Sequence, residues 1–146
     1  MLGALLHPAP KKALVIGLGT GSTGGWLATI PSMARVDVME LEPAILEVAR
    51  RMPEVIQNAM GNPKVRHLLG DARELLNTSR EKYDVIFSEP SNPYRAGIAN
   101  LYTHEYYEAV RDHLEPDGIF IQFLQSYEVD GKVIQGAYAT LRTVFG

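Results

Sequence analysis

Val15-Ile16-Gly17-Leu18-Gly19-Thr20-Gly21-Ser22-Thr23-Gly24-Gly25 is the stretch on which the reading of this chain turns. A short apolar run passes straight into a glycine-rich turn and then into residues that can start a helix. Glycine suits such a turn because the backbone there takes positive φ and lets a ligand approach where a Cβ would collide. Gly19, Gly21 and Gly24 fit G-x-G-x-x-G, the spacing that sets the polar end of a nucleotide at a helix N-terminus. The motif alone is weak, since a bare structural turn uses the same glycines. Its context strengthens it. Lys12 to Ile16 reads as a buried parallel strand, and Glu40, which ends the next strand, lies 21 residues beyond Gly19. In a Rossmann-type unit an acid about 20 residues on hydrogen-bonds the ribose hydroxyls, so a nucleoside site is the leading reading.

The rest of the composition fits one nucleoside-binding catalytic domain over residues 1–146, with 1–11 as a lead-in segment. A hydrophobic content of 46% with 21% charged residues is that of a globular chain, and a formal net charge of −3 gives no electrostatic reason to expect nucleic acid. The absence of cysteine excludes disulfides, zinc-thiolate sites and thiol catalysis. His7, His67, His104 and His113 show neither metal-ligand nor triad spacing, so no metal is expected and most of them read as surface residues. No apolar run reaches the roughly 20 residues of a membrane span, and Met1 to Leu6 does not read as a signal peptide. The expectation is a soluble, cytoplasmic chain without membrane contact.

Downstream, strands and helices alternate. Ser22 to Ile30 is expected to be helical, capped by Ser22 or Thr23, with Trp26 in the core or against a loop. Arg35 to Glu40 is the second strand, Val36 and Val38 alternating with Asp37 and Met39. Pro43 opens a covering helix whose apolar stripe is Ile45, Leu46, Ala49 and Met52. Val65 to Leu69 is the third strand, followed by Gly70-Asp71 and a short helix from Ala72 to Leu76. Tyr83 to Phe87 is the fourth, followed by the irregular Ser88 to Gly97. Thr103 caps a helix running to Leu114 with Tyr106, Val110 and Leu114 inward. Pro116-Asp117-Gly118 turns the chain into a fifth strand, Ile119 to Leu124. Asp130 caps a last helix with Val133, Ala137, Leu141 and Val144 inward. This is an α/β chain with a Rossmann-like, doubly wound sheet of five parallel strands in the order 3-2-1-4-5, and its ligand crevice lies at the strands' carboxyl ends.

The polar residues of interest all fall at those ends. Glu40 and Glu42 flank Leu41 on one face of an extended segment, and Glu40 is the better placed to hold a ribose. Asp71 either accepts a hydrogen bond from the adenine amine or caps the helix from Ala72. Glu89, after an apolar strand and beside Pro90, reads as a partly desolvated carboxylate suited to take a proton, or as a loop acid bonded to nearby N–H groups. Tyr94, Tyr102, Tyr106 and Tyr107 gather near this loop, some for the core and some for a pocket wall.

These motifs resemble the spermidine synthase-like branch of the S-adenosylmethionine-dependent methyltransferase fold. The resemblance covers nearly the whole chain. It rests on His7-Pro8 and Pro10-Lys11, the Val15 to Gly25 turn, Val38 to Pro43, Gly70-Asp71-Ala72, Tyr83-Asp84-Val85-Ile86, and Leu101-Tyr102-Thr103-His104-Glu105-Tyr106-Tyr107. It implies that Gly17, Gly19, Thr20 and Gly21 pass under the methionine-derived tail and that Glu40 holds the ribose. It also implies that Asp71 and Ala72 reach the adenine and that the loop from Ser88 carries the chemistry. Glu89 then stands where the family has its catalytic aspartate; Asn92 and Tyr94 are expected to position the amine, with Tyr102 as a wall of the pocket. Two departures stand out. Thr20 occupies the place of an aspartate that pairs with the amine of decarboxylated S-adenosylmethionine, and Asn92 replaces a second acid that holds a diamine. The resemblance further implies an N-terminal substrate lid and later antiparallel strands that these residues do not include, as in an excised or truncated relative.

The expectation is therefore a transferase using S-adenosylmethionine or its decarboxylated form, without a metal. It moves an aminopropyl group to a small amine such as putrescine. Methyl transfer to a small acceptor is the alternative, and a non-catalytic ligand-binding domain is a third. An exposed sheet edge invites a second copy, hence a homodimer.

Overall fold

In the computed structural model of this chain, residues 2–52, 58–91 and 97–146 are described. Strands alternate with helices: β1 (Lys12–Ile16), α1 (Ser22–Ala28), β2 (Arg35–Glu40), α2 (Pro43–Arg50), β3 (Val65–Leu69), α3 (Ala72–Thr78), β4 (Tyr83–Ser88), α4 (His104–Asp112), β5 (Leu114–Gln122) and α5 (Gly131–Phe145). Short 3₁₀ turns occupy Leu2–Leu6, Ala59–Gly61 and Ile98–Tyr102. The sheet runs β3-β2-β1-β4-β5, and every neighbouring pair is parallel. This is the order expected for a doubly wound α/β fold.

The side-chain period of two in a strand divides the core in half. On one face Ala13, Val15, Val36, Val38, Val85 and Phe87 pack with Leu27, Ala28, Leu46 and Ala49 of α1 and α2. On the other, Leu14, Ile16, Met39 and Ile86 pack with Ala72 and Leu76 of α3, Tyr106, Tyr107 and Val110 of α4, and Val144 of α5. Leu14 and Val15 are fully buried on opposite faces, each contributing about 1.5–3 kcal/mol of apolar burial.

Because helices cover both faces, β2 does not alternate in and out as expected: Val36, Asp37, Val38 and Met39 are all buried. Asp37 is tolerated there because its charge is fully engaged. Its carboxylate accepts from Arg66 Nε (2.9 Å) and Nη2 (3.0 Å) and from Tyr83 Oη (3.0 Å), with Arg35 Nη2 at 3.1 Å. Trp26 is likewise not in the core but 44% exposed. α1 turns Gly24 and Gly25 to the sheet instead, and a Cβ on Gly24 would stand 2.9 Å from Val38 Cγ2, so the bulky side chain faces outward.

Other differences are local. Neither Ser22 nor Thr23 caps α1: the N-cap is Gly21, without a side-chain hydrogen bond, and the helix ends at Ala28. Met52 and Val133 are exposed rather than inward. α4 ends at Asp112, so Leu114 begins β5 and pairs with Tyr83. The Pro116-Asp117-Gly118 turn is an irregularity inside β5, between Leu114 paired to Tyr83 and Ile119 paired to Val85. Thr103 and Asp130 do cap α4 and α5, through Tyr106 N–H and Val133 N–H.

His7 and His113 are buried, contrary to the surface assignment. His113 bridges the carbonyls of Ala109 (2.7 Å) and Ser79 (3.1 Å). His7 Nδ1 accepts from Ala9 N–H at 3.3 Å. Its Nε2 is buried without a hydrogen-bond partner among the described residues, 3.5 Å from Asp117 Oδ2 and 4.0 Å from Asp84 Oδ1, so the fold gathers three side chains that could hold a metal ion, a grouping that the spacing of the histidines did not reveal. The other Asp84 oxygen accepts from Lys11 N–H and Lys12 N–H at 2.7 Å each, tying the lead-in to the start of β4. No described helix is long and apolar enough to cross a membrane.

Candidate active site

The sheet register brings the site together. Ile16, the last residue of β1, pairs with Met39 on one side and Ser88 on the other. The next residues continue the ladder: Gly17 N–H donates to Met39 O (2.9 Å), and Glu89 N–H donates to Ile16 O (2.8 Å). Gly70 N–H donates to Glu40 O at 2.9 Å. Gly17, Glu40, Gly70 and Glu89 therefore stand at one level across four strands, at the carboxyl edge of the sheet.

The glycine turn is built as its sequence demands. Gly17 has φ 95°, and a Cβ there would lie 2.7 Å from the backbone oxygen of Glu89. Only glycine allows these two segments to touch. Gly19, at φ 50°, has nothing within 4 Å of its absent Cβ, so this part of the turn borders open space. Gly21 N–H closes the turn on Leu18 O (2.6 Å). Thr20 is exposed, and its hydroxyl lies 2.9 Å from that of Ser22.

Glu40 braces the turn. One carboxylate oxygen accepts from Leu18 N–H (3.0 Å) and the other from Glu42 N–H (2.9 Å). Each oxygen keeps lone-pair capacity for a further donor, and a pair of vicinal hydroxyls supplies two. Asp71, whose two readings were open, caps α3: it accepts from Arg73 N–H (2.9 Å) and grips the Arg73 guanidinium through both oxygens. That guanidinium holds the Asp71 carboxyl below its ordinary value of 3.8. Ala72 is buried beneath it.

Ser88 and Glu89 face opposite ways, as successive strand residues do. Ser88 is fully buried, and its hydroxyl accepts from Tyr106 Oη at 2.9 Å. Glu89 is half-buried, and its Oε1 accepts from Thr23 Oγ1 at 3.0 Å, across to the first turn of α1. Burial pushes the Glu89 carboxyl above 4.5, and the Thr23 hydrogen bond opposes it. Tyr102 is half-buried and donates to Phe123 O (3.1 Å), which ties the turn before α4 to the chain after β5. Asn92 and Tyr94 lie outside the described residues.

Beside these groups, a cavity of about 370 Å³ opens between α3 and α4, lined by Arg73, Asn77, Asn100, Thr103, Glu105, Tyr106 and Ala109. It borders the Asp71–Arg73 pair rather than the glycine turn. Arg73 pairs with Asp71, which leaves Glu40 and Glu89 as carboxylates without a basic partner among the described residues, a bias that favours a cationic ligand.

Sequence reasoning missed Thr23 and Arg73. Thr23 read as a cap because a threonine opens the helix; its partner lies 66 residues away, so no local signal marks it. Arg73 had a weak local signal, a basic residue two positions after an acid at a helix start.

The family model of the spermine/spermidine synthase domain matches residues 1–146. The chain belongs to this family. A polyamine aminopropyltransferase of Nitrosomonas europaea is 34% identical over 146 residues, covering 99% of this chain and 45% of the relative. A putrescine N-methyltransferase 2 of Nicotiana attenuata is 29% identical over 139 residues, 94% of this chain and 37% of that protein. Among solved structures, a spermidine synthase in complex with the transition-state analogue AdoDATO superposes with a TM-score of 0.90 at 26% identity, covering 99% of this chain and 49% of that one. Human methyltransferase-like protein 13 shares the fold at 23% identity, with a TM-score of 0.72 over 98% of this chain and 66% of that one. This spermidine synthase-family chain thus spans about half the length of the curated relatives it matches.

Proposed function

We propose that this chain forms the sulfonium-binding, catalytic part of an aminopropyltransferase, taking decarboxylated S-adenosylmethionine or S-adenosylmethionine and delivering an aminopropyl group to an amine such as putrescine. The observation that carries the reading is Glu89: a half-buried carboxylate at the end of β4, held over the glycine turn and level with Glu40. In the bound state Gly17, Gly19, Thr20 and Gly21 run under the ligand's tail and Glu40 takes the ribose hydroxyls. Asp71 and Ala72 flank the base, with Ser88 beneath them.

The chemistry asks little beyond alignment and a base. The sulfonium makes its attached carbon electrophilic; the amine nitrogen attacks, a C–N bond forms, and the C–S bond breaks to leave a neutral thioether. An alkylamine with a pKa of about 10.4 arrives as ammonium near neutral pH and must first lose a proton. Glu89 accepts that proton and passes it to water. Asn92 and Tyr94 orient the amine, and Tyr102 walls its pocket.

Methyl transfer is the second reading, and Thr20 favours it. An aspartate at this position would repel the carboxylate of S-adenosylmethionine, whereas a threonine admits it. The similarity to a putrescine N-methyltransferase agrees with this. Both readings share the base, so Glu89→Gln is expected to abolish turnover while sulfonium binding, followed by calorimetry, persists. Undiminished turnover in that variant removes Glu89 from the mechanism.

A further inference from the structure

Thr23 stands where a helix-capping residue is expected, yet α1 is capped by Gly21 and makes no side-chain cap bond. The Thr23 hydroxyl leaves its own helix and donates its single proton to Glu89 Oε1 at 3.0 Å, 66 residues away. A threonine in a helix divides between two χ1 rotamers, and the bond to Glu89 selects the one whose hydroxyl points away from its own helix. The Glu89 backbone is fixed independently, by its N–H on Ile16 O (2.8 Å) and by contact with Gly17. The residue is thus gripped at both ends, its main chain by β1 and its carboxylate by α1, on the two sides of the glycine turn. With Oε1 bonded to Thr23 and no described residue donating to Oε2, Oε2 is the less engaged oxygen and the better placed to take an incoming proton.

We infer that Thr23 is the positioning residue of Glu89: it holds Oε1, aims Oε2 into the crevice and favours the carboxylate over the carboxylic acid. The inference rests on the reading of Glu89 as proton acceptor. The direction of the Glu89 shift agrees with it, since burial favours the neutral acid and the Thr23 bond works against burial.

The test is a carbon-13 titration of the Glu89 side-chain carboxyl in the full chain, its signal assigned by its loss in Glu89→Gln. In Thr23→Val, which keeps the shape and removes the donor, the midpoint is expected to rise, the ionisation constant falling about tenfold. Thr23→Ser should bring it back to within about twofold of the native value, because the hydroxyl is restored. Thr23→Ala replaces Thr23→Val should the latter not fold. In turnover, Thr23→Val should lower kcat and move the acidic limb of the pH profile upward with KM little changed. A merely structural role would not produce that split, nor its rescue by serine. A midpoint in Thr23→Val that coincides with the native one overturns the inference. Inactive Glu89→Gln together with a native pH profile in Thr23→Val overturns this inference alone, whereas active Glu89→Gln overturns the reading beneath it.

Discussion

Glu40→Gln separates the two tasks assigned to Glu40. The substitution preserves length and shape but replaces one carboxylate oxygen with an amide NH₂. In the native chain both oxygens are in use, on Leu18 N–H at 3.0 Å and Glu42 N–H at 2.9 Å, so one of these N–H groups must then face a donor. Leaving it unpaired costs about 1–3 kcal/mol. For a chain of this size each kcal/mol corresponds to roughly 2–4 °C in Tm, so a modest thermal loss is expected. The same change removes an acceptor from the ribose. A hydrogen bond to a charged group contributes about 1.5–3 kcal/mol, which weakens ligand binding by about 10–150-fold. Calorimetric titration with S-adenosylmethionine and with its 2′-deoxy analogue distinguishes the two effects. The native chain should lose affinity on removal of the hydroxyl, and Glu40→Gln should lose much less. Equal losses in both proteins would refute the assignment of Glu40 to the ribose, whatever happens to Tm.

Gly17→Ala is expected to be costly, because φ 95° disfavours any side chain by about 1–2 kcal/mol and the new Cβ would meet Glu89 O at 2.7 Å, adding about 1–3 kcal/mol of overpacking. Its Tm should fall by roughly 5–15 °C in differential scanning calorimetry; a native Tm would mean that the turn relaxes freely. Thr20→Asp should shift ligand preference toward decarboxylated S-adenosylmethionine, read as the ratio of the two calorimetric Kd values. An unchanged ratio refutes the charge argument built on this position.

The fold was legible because its signals are local. β1 follows from a short apolar run, β2 from Val36 and Val38 spaced two apart, and β3 from Val65, Leu68 and Leu69 ahead of Gly70; Pro43 marks the start of α2, and Thr103 and Asp130 announce their helices through capping. The glycine spacing and Glu40 pointed in the same way to the carboxyl edge of the sheet, where both lie. What could not be read are contacts between residues distant in sequence. Asp37 looked like the polar half of an alternating strand because Arg66 and Tyr83, which neutralise and bond it, lie on two other strands. The core alternative for Trp26 failed because nothing in its neighbourhood shows that Gly24 takes the close approach to the sheet. Thr23 looked like a cap because Glu89 reaches it only once β1 and β4 are side by side. Local rules failed where the crevice is assembled and where a charge is buried.

The measurement that bears most directly on the account is calorimetric titration of the native chain with S-adenosylmethionine and with its decarboxylated form, side by side. The account predicts saturable one-to-one binding of a nucleoside sulfonium, with the decarboxylated form the tighter; a tighter carboxylated form moves the chain to methyl transfer. Binding of neither would contradict the assignment of the glycine turn and Glu40 to a nucleoside sulfonium.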